Sequence, residues 1–294
     1  MKRSDAYPEN WIFLGDSLTE GVGSERISYV SEYVKLLRAR HSRCVEEVRL
    51  RRVNPVEFNP FLRVNLAGYM DHDERQANDT RCWLWNLASE GTTVDSDMHW
   101  LPFMANLRPA RVFILRGALE SILRPVAMAD NVWPWWIPHA WRSYAAMDPR
   151  CYFSTTGWRR LKQLAENKAK QSLRLALMKH RPGKPLQSQE IFVAHFESLL
   201  RCLKELTNEI HVIGLPPVGG RAFPGSRQAF VAMNERIKKS ALAYGANFID
   251  SFELFEQQSS PADYFYLDEF HPNQAGARLL AKFLDAHCSS ADSA

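Results

Sequence analysis

Cysteine is scarce and scattered in this sequence: Cys44, Cys82, Cys151, Cys202 and Cys288 are five in 294 residues, and no Cys-x-x-Cys occurs. An odd, dispersed set offers neither a disulfide framework nor the paired spacing of a zinc knuckle or dithiol redox motif. It suits a reducing compartment. A run of about 18 apolar residues is also lacking, so no membrane span is expected. The chain starts Met1-Lys2-Arg3, but Asp5 and Glu9 follow, and the first apolar run, Trp11 to Leu14, is too short for a secretory leader. Charge of one sign is not in excess: 37 Lys and Arg against 33 Asp and Glu leave +4. That is too little to argue for nucleic acid or an anionic membrane as a partner. The expectation is a soluble cytoplasmic protein.

Internal repeats and low-complexity tracts are missing as well. What is present is ordinary globular composition, 46% hydrophobic and 24% charged, long enough for a core without staples. Short β-friendly runs end at turn residues: Trp11 to Leu14 at Gly15, Cys82 to Leu87, Val112 to Leu115 before Gly117, Ile210 to Leu215 at Pro216, and Phe248-Ile249 near Asp250. Buried parallel strands have this pattern. Between them lie stretches of helical period. One carries Phe192, His195, Phe196, Leu199, Leu203 and Leu206; another Phe230, Met233, Ile237 and Ala241; the last Leu279, Leu280, Phe283 and Leu284. The alternation predicts an α/β fold, a parallel sheet covered by helices on both faces. His195, on an apolar face, reads as a core histidine.

Two stretches break the alternation. Residues 41–81 mix charges and prolines, and residues 118–157 hold Trp133, Trp135, Trp136 and Trp141 among prolines. Both read as insertions on a single domain spanning 1–294, with a tail expected to fray over 285–294. Arg49, Arg51 and Arg52 alternate with Val48, Leu50 and Val53, as on a solvated strand face. The Trp-rich insertion leaves the sheet beside Gly117, so Trp133, Trp135 and Trp136 are either a satellite apolar cluster or a wall over the site that contacts substrate.

The sharpest chemical signal follows the first strand: Gly15-Asp16-Ser17-Leu18-Thr19-Glu20-Gly21. It places Ser17 at the C-terminal edge of the sheet, where open α/β folds bind ligands. A serine needs a base to become a nucleophile. Asp268-Glu269-Phe270-His271-Pro272-Asn273 supplies one, since a carboxylate three residues before a histidine can hold Nδ1–H and leave Nε2 to face a hydroxyl. Asn273 is a good N-cap for the last helix, and Asp16 reads as structural. The nucleophile-elbow pattern Gly-x-Ser-x-Gly is lacking at Ser17. Gly21-Val22-Gly23-Ser24 has no following Gly-Lys-Ser/Thr and does not read as a phosphate loop. Asp71-His72-Asp73-Glu74 and Asp95-Ser96-Asp97-Met98-His99 read as solvated loop or helix start, so no metal is expected.

Gly15-Asp16-Ser17-Leu18 near one end and Asp268-x-x-His271-Pro272-Asn273 near the other resemble the GDSL, or SGNH, hydrolases, a likeness that covers nearly the whole chain. The resemblance implies a flavodoxin-like three-layer α/β/α fold and ester chemistry without a cofactor. It implies Ser17 as nucleophile, His271 as base and then acid, and Asp268 as the residue orienting His271. The family's glycine block matches Asn86-Leu87-Ala88-Ser89-Glu90-Gly91, making Gly91 and Ser17 backbone donors to the oxyanion; Asn65-Leu66-Ala67-Gly68 is a rival. The family's Gly-x-Asn-Asp block reads Gly117-Ala118-Leu119-Glu120 here. Leu119 cannot donate a hydrogen bond, and Arg116 or an insertion residue is a candidate replacement. The implied activity is a serine esterase acting on a small-molecule or saccharide O-acyl or O-acetyl ester through an acyl-enzyme. The alternatives are an acyltransferase passing the group to a sugar or other alcohol, and a non-catalytic binding module on the same scaffold.

Overall fold

The computed structural model describes residues 9–21, 27–40, 45–49, 82–180 and 183–291. Strands β1 (Glu9–Gly15), β2 (Val45–Arg49), β3 (Cys82–Asn86), β4 (Arg111–Leu115), β5 (Ile210–Ile213) and β6 (Asn247–Ile249) form one sheet of six. Every pair is parallel, in the order β2-β3-β1-β4-β5-β6. Leaving out the edge strand β2, the other five, counted along the chain, stand 2-1-3-4-5, the flavodoxin-like order. The helices are α1 (Ser17–Glu20), α2 (Tyr29–Arg40), α3 (Leu101–Leu107), α4 (Val126–Ala129), α5 (Tyr144–Met147), α6 (Gly157–His180), α7 (Gln189–Lys204), α8 (Ser226–Ala243), α9 (Ser251–Glu256) and α10 (Gln274–Ala291). A 3₁₀ helix, Val94–Trp100, precedes α3.

The central strands are apolar throughout because helices cover both faces. In β1 and β4, Ile12, Phe13, Leu14, Val112, Phe113 and Ile114 are fully buried. Phe13 stacks on Phe113 with ring centroids 4.6 Å apart, and Phe113 stacks on His211 at 4.8 Å. On one side α2 packs against α10; on the other α7 packs against α8 and the 3₁₀ helix. The α2–α10 seam is reinforced by ion pairs, Arg278 to Glu32 at 3.1 Å and Arg40 to Asp285.

Three features depart from expectation. The stretch 41–81 does not simply rise from the sheet: Val45–Arg49 joins it as β2, with Arg49 paired to Glu47 at 2.5 Å. Residues 50–81, which include Asn65–Gly68 and Asp71–Glu74, lie outside the described residues. The tail does not fray at Asp285, because α10 continues to Ala291 and Cys288 is buried in the core. The largest helix, α6, has no counterpart among the expected ones. Its docked side is polar, so it lacks the inward apolar stripe by which a packed helix is recognised. The His195 ring is half-buried, and its Nδ1 has no partner among the described residues.

Candidate active site

Three loops meet where β1 ends, because its neighbours β3 and β4 end beside it. The chain turns sharply after Gly15, and a side chain there would collide with Thr19, whose Oγ1 lies 2.1 Å from the position of a Cβ. Asp16 caps the α1 turn, its Oδ1 accepting from Leu18 N at 2.9 Å, which is the structural part expected of it. Ser17 is thus the first residue of α1, and its N–H has no partner within that helix. From the β3 side, Asn86 Nδ2 donates to Thr19 O at 3.3 Å, Ser89 N donates to Gly15 O at 3.1 Å, and Glu90 N donates to Glu20 Oε2 at 2.6 Å. These bonds lay residues 86–90 along the serine turn, and Gly91 follows directly. Gly91 has φ +73, a left-handed conformation that glycine adopts at no steric cost.

The fourth loop precedes α10. Its shape is set by Tyr266 N to His271 O and Glu269 N to Tyr266 O, both 2.9 Å, and by Gly219 N to Glu269 O at 2.8 Å. Asn273 caps α10, its Oδ1 accepting from Ala275 N at 2.8 Å and Gly276 N at 3.2 Å. Within this loop, Asp268 is buried. Its Oδ1 accepts from the Phe270 and His271 amides at 3.1 Å each, and its Oδ2 stands 2.5 Å from His271 Nδ1. His271 Nε2 is 2.8 Å from Ser17 Oγ, across 254 residues of sequence. With Nδ1–H donated to Asp268, Nε2 accepts from the serine hydroxyl. Burial opposes charge on the imidazole, but the Asp268 carboxylate and its hydrogen bond, then Asp16 and Glu90, outweigh it and hold the His271 pKa above its ordinary value.

Arg116, a candidate replacement donor for the oxyanion, is committed elsewhere. Its Nε and Nη2 grip Asp97 at 2.7 and 2.5 Å, and its Nη1 donates to Thr92 O and Oγ1 at 2.7 and 3.0 Å. Burial works against the charge of Arg116, yet Asp97 holds its pKa above the usual value. Asp97 is therefore fully buried rather than solvated, as its place in a polar run suggested. The pair ties the loop after Gly91 to the end of β4. Leu119 follows in the next turn, half-buried. Trp136 lines a groove against α6, whereas the recess at Ser17 and His271 is walled by Leu18, Ile27, Pro272 and Ala277. The structure does not bring Trp133, Trp135 or Trp136 into that recess.

Two residues at the site were given no role by the sequence. Cys151 is one: its sulfur, an Asp268 oxygen and a His271 nitrogen lie within 4.8 Å of one another. Burial, then the Asp268 charge, pushes this thiol up to about 12, and both His271 nitrogens are already engaged. Cys151 is thus a protonated wall of the site, poorly suited to ligate a metal, which binds thiolate. The other is Glu120. It is buried, with Oε1 unpartnered among the described residues, and burial pushes its carboxyl up to about 7 despite Arg116 nearby. A raised carboxyl binds its proton more tightly folded than unfolded, so its stabilisation is whole below its unfolded pKa and is lost as pH rises through about 7. Between pH 5 and 8 the wild type is expected to lose on the order of 3 kcal/mol of stability relative to Glu120→Gln, seen as a steeper fall of its melting temperature. Thermal melts of both proteins across that range check this; parallel curves would rule it out.

The chain matches the model of the GDSL-like lipase/acylhydrolase family over residues 13–279. No curated protein sequence matches it. Among solved structures, a lipase/acylhydrolase from Enterococcus faecalis superposes with a TM-score of 0.51 at 13% identity, covering 95% of this chain and 94% of that one. Axe2, an acetylxylan esterase from Geobacillus stearothermophilus, superposes with a TM-score of 0.50 at 18% identity, covering 96% and 94%. At these identities the likeness is one of fold.

Proposed function

Because the chain belongs to the GDSL-like lipase/acylhydrolase family, we propose that it hydrolyses a carboxylic ester, an O-acyl or O-acetyl group, through an acyl-enzyme on Ser17. The observation that carries this reading is the continuous relay from Asp268 Oδ2 through His271 to Ser17 Oγ, at 2.5 and 2.8 Å. Ser17 Oγ attacks the ester carbonyl as its proton passes to His271 Nε2. The tetrahedral oxyanion is met by the N–H groups of Ser17 and Gly91. His271 then gives the proton to the departing alcohol oxygen, the C–O bond breaks, and the acyl group stays on Ser17. Water, deprotonated by the same nitrogen, attacks next, and the acid leaves with Ser17 restored.

The recess beside Ser17 and His271 is only about 10 Å³, room for a methyl-sized group. This supports a short acyl group, acetyl before a long chain. Water as acceptor is supported by the tryptophans standing away from the recess and by the 16% exposure of the His271 side chain. The test is a fluorophosphonate probe with intact-mass analysis, followed by p-nitrophenyl esters from acetate to palmitate. A single adduct on Ser17 and fastest turnover of acetate are expected. Absence of an adduct would favour a binding module, and preference for palmitate would overturn the short-acyl reading.

Leu119 bears on efficiency. If it stands for a lost oxyanion donor, Leu119→Asn adds a hydrogen bond that strengthens as charge develops. That raises kcat more than it alters KM. A rise of about tenfold is expected, below the roughly 10²–10³ measured for removing such a donor, because the new amide lacks a supporting shell. Unchanged kcat with a lowered melting temperature would show the amide buried and idle.

A further inference from the structure

Helix α6 is mounted with its polar side inward. Gln163 Oε1 accepts from Ser154 N at 2.8 Å, Asn167 Oδ1 accepts from Arg150 N at 3.1 Å, and Gln171 Nε2 donates to Arg221 O at 3.0 Å. Lys170 and Arg174 are buried on the same side, Lys170 pairing with Glu166 at 2.6 Å and Arg174 lying over the Phe223 ring. Four large apolar side chains of α6 face solvent instead: Trp158 is 77% exposed, Leu161 59%, Leu175 44% and Leu164 38%. The face continues across a groove of about 680 Å³, where Leu173, Ala176 and Leu177 oppose Val132, Pro134 and Trp136. Next to the groove, Trp135 is 87% exposed. Exposed large apolar side chains gathered on one helix and its neighbouring loop mark an interaction site.

The charges on the same face identify the partner. Arg159, Arg160, Lys162, Lys168 and Lys179 are exposed along α6, and its one acid, Glu166, is half-buried and paired. A second copy of this face would set cations against cations, which is costly. An anionic surface would be attracted, and lysine stems can lie among leucines while their ammonium groups reach outward. Tryptophans suit the boundary between apolar and wet layers. A helix with leucine and tryptophan beside lysine and arginine lies in the plane of a lipid interface. We propose that α6 and the adjoining tryptophan loop dock this protein on an anionic phospholipid bilayer. The whole-chain charge of +4 conceals this, because α6 carries seven Lys and Arg against one Glu. Trp158, near the start of α6, lies seven residues along the chain from Cys151, which stands at the Asp268–His271 pair.

Binding is read apart from turnover, so the docking and the ester reading fail separately. The full chain is sedimented with vesicles of phosphatidylcholine alone and of an equimolar mixture with phosphatidylglycerol. Binding to the mixture is expected at least about tenfold tighter, and weakened by salt. Neutralising Lys162, Lys168 and Lys179 together with Gln is expected to weaken it about 100-fold, at about fivefold per charge. Trp158→Ser with Leu161→Ser and Leu175→Ser is expected to weaken it at least about tenfold. Both variants should keep wild-type turnover of a soluble p-nitrophenyl ester, which controls for folding. No binding to the mixture, equal binding to both vesicles, or wild-type binding by either variant would overturn the proposal. So would a dimer in solution that the apolar triple variant dissociates, which would make a second copy the occupant.

Discussion

Ser17→Ala and His271→Ala are each expected to lower kcat/KM on any ester the protein cleaves by at least about 10⁴-fold. In the proposed mechanism the serine supplies the atom that bonds to the acyl carbon, and the imidazole supplies the nitrogen 2.8 Å away that takes its proton. Neither can substitute for the other. The double variant should be no slower than the worse single one, since the two act as a unit. Residual turnover should come from binding and backbone donors alone. Stability should change little. Ser17 is half-buried at the sheet edge, and the residues holding its turn are Gly15, Asp16 and Asn86. Steady-state kinetics with thermal melts decides the matter. An active Ser17→Ala protein would remove the serine from the chemistry altogether.

Asp268→Asn is expected to cost about 10³–10⁴-fold in kcat, and it should change the pH profile as well as the rate. The carboxylate does two things here. It accepts the Phe270 and His271 amides, fixing the loop, and it receives Nδ1–H, fixing the tautomer. Asparagine can keep the first role but can offer its NH₂ to Nδ1, turning the imidazole's proton toward the serine. Only neutral His271 accepts the serine proton, so kcat/KM falls as pH drops through its pKa. In the wild type that limb should lie above the ordinary histidine value of 6.5, because Asp268 outweighs the burial that opposes the charge. In Asp268→Asn the burial remains and the charge is gone, so the limb should move to lower pH. A pH–rate profile of both enzymes checks the sign. An unmoved limb would mean that Asp268 positions the loop without tuning the base.

Much of the fold was legible because its strands obey local rules. A buried parallel strand must be apolar on both faces, so Trp11–Leu14 and Val112–Leu115 announce themselves, and the turn residues after them mark the sheet edge that holds the candidate site. Ser17, Asp268 and His271 were readable for a related reason: each lies in a short polar motif closing a strand or opening a helix. Arg116, Asp97 and Cys151 were not. Their meaning depends on residues brought together across 19 positions in the Arg116–Asp97 pair and across the span from Cys151 to Asp268 and His271. No local pattern encodes such distances. Asp97 was misread for the same reason, since a carboxylate in a polar run looks solvated until its arginine arrives from β4. Helix α6 escaped notice because period alone does not tell which side of a helix faces the protein. Its leucines and its glutamines are both regularly spaced, and here the glutamines face in.

The seam between α2 and α10, with its Arg278–Glu32 and Arg40–Asp285 pairs, governs when this protein can acquire chemistry during its own synthesis. The serine emerges from the ribosome first and the histidine 254 residues later. Until α10 is made, α2 has an uncovered flank and Ser17 has no base. On the proposed mechanism the nascent chain is inert over the 254 residues that separate the two. Reactivity then appears when α10 closes over α2.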